Sequence, residues 1–131
     1  KDIIDFLKHE NVRVIDLGTN SEESVDYPLY GQKVAKSIIS NESDRGIIVC
    51  GTGIGISIAA NRFKNIRATL CTNELHAEMA RKHNDSNVLA LGSRVTDMVD
   101  IKNIINVWLN TKFEGGRHQD RIDKIDYIKK G

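Results

Sequence analysis

The sequence predicts an α/β protein: a three-layer, doubly wound parallel sheet with helices on both faces. Two observations carry this. Apolar runs of strand length (Val12–Leu17, Gly46–Cys50, Arg67–Cys71 and Val88–Leu91) alternate with longer stretches whose apolar residues recur at helical spacing. The connections between them are short, and strictly alternating strands and helices form parallel sheets covered on both sides. The expected architecture is therefore Rossmann-like. With 131 residues the chain forms one domain, 1–131, and is too short for two cores.

Taken in order, Lys1–Lys8 is an amphipathic helix with Ile3, Ile4 and Leu7 on one face. No capping residue or strand precedes it, so the native chain is expected to start earlier. Val12–Leu17 reads as a strand, followed by a polar loop to Tyr27. Asp26 and Pro28 suit a helix start, and Tyr30, Val34, Ile38 and Ile39 form the apolar stripe of that helix. Gly46–Cys50 is a buried strand. Arg67–Cys71 is a second, leading into a helix over Glu74–His83. Val88–Leu91 is another strand, and Thr96 is the expected cap of a helix carrying Ile101, Ile104, Ile105, Trp108 and Leu109 in phase. Phe113–Gln119 reads as a glycine-containing loop, and Ile122, Ile125 and Ile128 give the tail a helical apolar stripe.

Charge narrows the function. Nineteen basic and eighteen acidic residues leave a formal charge of +1, without the basic footprint of a nucleic-acid binder. No apolar stretch reaches the length of a membrane span, so no membrane partner is expected. Two cysteines make no disulfide framework, which points to a reducing cytoplasm.

The most informative stretch is Cys50-Gly-Thr-Gly-Ile-Gly55, between a strand and a helix. Its thiol sits at a strand's carboxyl end facing a helix amino terminus, where unpaired N–H groups and the helix dipole favour an anion. A thiolate there is a base or a nucleophile. The three glycines let backbone approach an oxyanion or a phosphate closely. A tight turn after a structural cysteine explains the same six residues equally well. A dinucleotide fingerprint and a Cys-x5-Arg phosphatase loop each fail at Ile56, and no Gly-Lys-Ser or Gly-Lys-Thr follows for a nucleotide loop.

Ligands of such sheets bind outside the carboxyl ends of the strands, where Cys50, Cys71 and Gly92-Ser-Arg94 fall. His83 ends a helix and enters the Asn84-Asp85 turn beside the strand ends, as a proton-transfer group or a helix cap. His9 and His76 read as solvated surface. None of the histidines, His118 included, has zinc-type spacing, so no metal is expected. Arg117 and Arg121, four apart, share a face if helical and suit a phosphate dianion.

These residues carry a resemblance. Ser24-Val-Asp-Tyr-Pro28, Asp44–Gly55, Ala59-Ala-Asn61, Ile66-Arg-Ala68, His83–Arg94, Trp108-Leu109, Phe113–Gln119 and Arg121 follow in unbroken order as in type B ribose-5-phosphate isomerases, whose superfamily includes the galactose-6-phosphate isomerase subunits. The chain resembles this family over nearly its whole length. The resemblance implies an aldose–ketose isomerase without cofactor, interconverting ribose 5-phosphate and ribulose 5-phosphate. Cys50 is then the base, assisted by Thr52, and the backbone of Gly51, Gly53, Ile54 and Gly55 holds enediolate oxygens. His83 opens the furanose ring, Asn84 and Tyr27 contact the sugar, and Arg94, Arg117 and Arg121 hold the phosphate. It also implies dimers or tetramers with sites shared between subunits, and a first strand ahead of Lys1. A six-carbon substrate (galactose 6-phosphate or allose 6-phosphate) and a non-catalytic phosphosugar-binding role are the alternatives.

Overall fold

A computed structural model describes residues 2–10, 12–18 and 27–126. Its elements run α1 (Asp2–His9), α2 (Tyr27–Ile39), β1 (Gly46–Cys50), α3 (Ile54–Asn61), β2 (Ala68–Leu70), α4 (Glu74–Asn84), β3 (Val88–Gly92), α5 (Met98–Asn110) and α6 (Arg117–Asp123). The three strands are parallel in the order β1-β3-β2, with Gly46 opposite Val88, Cys50 opposite Gly92 and Ala68 opposite Val88.

Alternation along the strands builds two cores. Every residue of β3 is buried. Val88 and Ala90 point to one face, against Ala35 of α2, Ile56 and Ala60 of α3, and Ile48. Leu89 and Leu91 point to the other, against Ala77 and Ala80 of α4, Ile101, Ile104, Ile105 and Trp108 of α5, and Leu7 of α1. A central strand apolar on both sides is what a doubly covered parallel sheet requires.

A polar knot pins the amino-terminal edge of this sheet. The Ser86 hydroxyl, wholly buried, accepts from Trp108 Nε1 at 3.1 Å and lies 2.7 Å from the Thr69 hydroxyl. Arg81, also buried, donates to the Ser86 carbonyl at 2.6 Å, to Asp85 at 2.9 Å and to the Thr111 carbonyl at 3.2 Å. Its charge is thus paired and hydrogen-bonded, the condition for burying a guanidinium.

Several expectations are corrected. Among the described residues Val12–Leu17 pairs with no strand; with α1, α2 and β1 it lines a cavity of about 1240 Å³ along β1's outer edge. Thr96 does not cap α5: Asp97 is the N-cap, and the buried Thr96 hydroxyl has no partner among the described residues. The tail stripe divides, because Ile122 is buried and Ile125 exposed, while Ile128 lies outside the described residues. The loop expected over Phe113–Gln119 is already helical from Arg117.

Candidate active site

At the carboxyl edge, β1 ends in Cys50 and the chain turns into α3. Gly53, the N-cap of α3, adopts φ +82°, and a Cβ there would lie 2.6 Å from Leu70 and 2.9 Å from the Leu91 backbone. Glycine is therefore required both by conformation and by space. The turn places the Gly53 N–H 3.1 Å from Cys50 Sγ, which accepts it, and the Ile54 N–H 3.2 Å from the Thr52 hydroxyl. Thiol and hydroxyl thus satisfy two of the donors that a helix start leaves unpaired. A helix start of this kind, with its N–H groups and dipole, favours an anion. Cys50 is half-buried and, like the buried Cys71, free; burial raises the pKa of the Cys71 thiol and suits it to structure.

Two more expected residues meet this turn. The Tyr27 ring, at the start of α2, lies on Gly55, and the Arg94 side chain lies along Gly51. Ile54 is exposed beside them. Ile56 is buried in the core between α2 and the sheet, so that position packs rather than faces a ligand.

The other expected residues lie at the opposite edge. Because β2 and β3 are parallel, α4 must return from the carboxyl to the amino end of the sheet, and His83 and Asn84 finish it four to five residues before β3 begins. His83 is therefore at the amino edge, about 13 Å of strand away from the level of Cys50. α5 returns the same way and delivers Phe113–Arg121 to that edge, where the Glu114 N–H donates to the Lys82 carbonyl at 3.1 Å. Arg117 and Arg121 share the helix α6, four residues apart and both exposed. His9 and His76 are exposed, as expected of surface histidines.

Sequence reasoning missed two partners of His83. The His83 and His118 rings stack with centroids 4.3 Å apart and planes 16° from parallel. Each Nε2 lies 3.6 Å from the same Glu114 carboxylate oxygen. His118 is buried, and its pKa is lowered, first by burial and then by the neighbouring His83. The Glu114–His118 spacing of four was the available signal, hidden because Gly115 and Gly116 interrupt it as a loop. These three residues also offer ligand atoms within 4.8 Å of one another. Near-parallel rings cannot both aim in-plane lone pairs at one ion, so the arrangement does not suit a metal.

A half-buried thiol held by a helix start at the end of a parallel strand, beside a glycine turn, defines an α/β protein with its candidate site at the strand ends. Comparison with known proteins sharpens this. The family model described as Ribose/Galactose Isomerase matches residues 1–125. The Escherichia coli K12 protein named ribose-5-phosphate isomerase B is 49% identical over 127 residues, covering 97% of this chain and 85% of the relative. The solved Clostridium thermocellum ribose-5-phosphate isomerase B superposes with a TM-score of 0.93 at 54% identity, over 95% of this chain and 84% of that one. The Thermotoga maritima enzyme of that type gives 0.94 at 49%, over 96% and 87%. The chain belongs to the ribose/galactose isomerase family and is an isomerase.

Proposed function

We propose that this chain interconverts D-ribose 5-phosphate and D-ribulose 5-phosphate. The observation that carries the reading is the Cys50 Sγ contact with the Gly53 N–H at 3.1 Å, which sets a base beside an oxyanion cradle. Once the furanose is open, Cys50 as thiolate takes the proton from C2. The cradle of Gly51–Gly55 and Thr52 holds the cis-enediolate oxygens while the hydroxyl proton passes from O2 to O1, and the thiol returns its proton at C1. No metal or organic group is called for, since the negative charge is spread over backbone donors.

The ring-opening group and the phosphate clamp in this reading come from a second copy of the chain. His83, Asn84, Arg117 and Arg121 sit at the sheet edge opposite Cys50, so one chain alone does not bring them to the thiol. Exposed Ile54 and Ile58, at 52% and 60%, flank the glycine turn and supply apolar surface for a homodimer. Among the described residues no helix is long and apolar enough to cross a membrane. Free cysteines suit a cytoplasmic setting.

Turnover of a panel of five- and six-carbon aldose phosphates tests the substrate. Ribose 5-phosphate should have the highest kcat/KM. A six-carbon phosphate in first place would move the reading to the galactose or allose substrates. Binding without turnover of any would leave a phosphosugar-binding protein. Cys50→Ala should lose roughly 10²–10⁴-fold in kcat with its fold intact.

A further inference from the structure

We propose that His118 is a positioning residue, whose buried ring is the platform that fixes the plane of the His83 imidazole. This rests on the reading of His83 as the ring-opening group. The two side chains differ sharply in freedom: that of His83 is 40% exposed and that of His118 only 8%. An imidazole so exposed samples several orientations, and proton transfer to a sugar oxygen needs one of them. Stacking at 4.3 Å on a ring held in the protein removes that freedom.

Local structure shows how the platform is held. Gly115 and Gly116 adopt φ +71° and +59°, which turns the chain sharply after Glu114. The His118 N–H donates to the Gly115 carbonyl at 3.2 Å, closing the first turn of α6, and Ile122, one turn on, is buried beneath it. The bond from Glu114 N–H to the Lys82 carbonyl ties the same segment to the last turn of α4. His83 and its platform are thus joined by backbone as well as by stacking.

Chemistry explains why a histidine ring serves here without taking part. Burial keeps His118 neutral near pH 7. A neutral aromatic face accepts the His83 ring whether it is charged or not. Both rings face the same Glu114 carboxylate oxygen at 3.6 Å, and a neutral platform adds no second positive charge beside His83.

The test compares His118→Leu, His118→Phe and His83→Ala in the full chain. His118→Leu should lower kcat on ribose 5-phosphate roughly 10–100-fold with KM changed less than about twofold, as for a misplaced catalytic group. His118→Phe keeps a flat ring and should recover kcat to within about threefold of wild type, since the geometry is what it restores. The proton NMR signals of the His83 ring, assigned by their loss in His83→Ala, should keep their upfield ring-current shift in His118→Phe and lose it in His118→Leu. If His118→Leu does not fold, His118→Asn takes its place. A His118→Phe enzyme as slow as His118→Leu overturns the platform, and so does a full-speed His118→Leu beside an inactive His83→Ala. Normal turnover by His83→Ala would instead overturn the ring-opening reading, and the platform with it.

Discussion

The ring of Tyr27 rests on Gly55 so closely that a Cβ added to Gly55 would lie 2.5 Å from ring carbon Cε1 and 2.7 Å from the phenol oxygen. One wall of the candidate pocket is therefore set by the absence of a side chain. Gly55→Ala should push the ring aside with little loss of stability, because Tyr27 is 45% exposed and free to move. Its expected effect is a higher KM for the sugar phosphate. In a double-mutant cycle, Gly55→Ala should cost much less in a Tyr27→Ala background. Additive effects would show that the ring has no part in the wall.

Cys50 and His83 at opposite sheet edges make a prediction about assembly. Cys50→Ala and His83→Ala chains, each inactive alone, should regain part of the activity when mixed and allowed to exchange subunits. Hybrid dimers then carry one intact site. Mixtures that stay inactive after verified exchange would put both residues in one chain's site.

Ser86→Ala should be costly to stability. It leaves the buried Trp108 N–H without its acceptor and removes the partner of the Thr69 hydroxyl. An orphaned buried donor costs about 1–3 kcal/mol, measurable by urea unfolding. Ser86→Ala together with Trp108→Phe should recover part of the loss, since the orphaned indole N–H is then gone and only the Thr69 hydroxyl has lost its partner.

The buried His118 gives stability a dependence on acidity. Its pKa lies below the usual 6.5 in the folded state, so the unfolded chain binds more protons as the medium is acidified. This contribution is complete above pH 6.5 and is lost as pH falls from there towards the folded-state value. Cys71 acts in the opposite sense: its raised pKa means the unfolded chain loses its proton first, so stability falls above the usual 9.0. Melting temperatures measured against pH should show the acid limb diminished in His118→Phe.

Local pattern carried much of this fold. The apolar runs of β1 and β3 and the stripe of α5 are legible from the sequence, most fully in β3, where burial on both faces leaves a continuous signature; in β1 only Ile48 is fully buried and Val49 is exposed. Val12–Leu17 has the composition of a strand, but a strand exists only through its neighbour, and pairing is not written locally. Thr96 and Asp97 are both good caps, and sequence could not decide that the first would be buried. In the candidate site, the Cys50 turn is local and was readable. The His83 cluster was not, because Glu114 and His118 reach His83 only through the turn at Gly115 and Gly116 and the tie to Lys82.

The outer edge of β1 makes this strand two-sided in its exchange with solvent. The Gly46 N–H donates to the Asn87 carbonyl and the Cys50 carbonyl accepts from Ser93, so the backbones of residues 46, 48 and 50 turn towards β3. In a parallel ladder the intervening residues turn the other way, which directs the amides of Ile47 and Val49 into the cavity beside Val12–Leu17. Deuterium uptake should therefore alternate along one five-residue strand, slow at Ile48 and fast at Ile47 and Val49. Any extended segment that settles into that cavity will announce itself by slowing those two amides while leaving Ile48 unchanged.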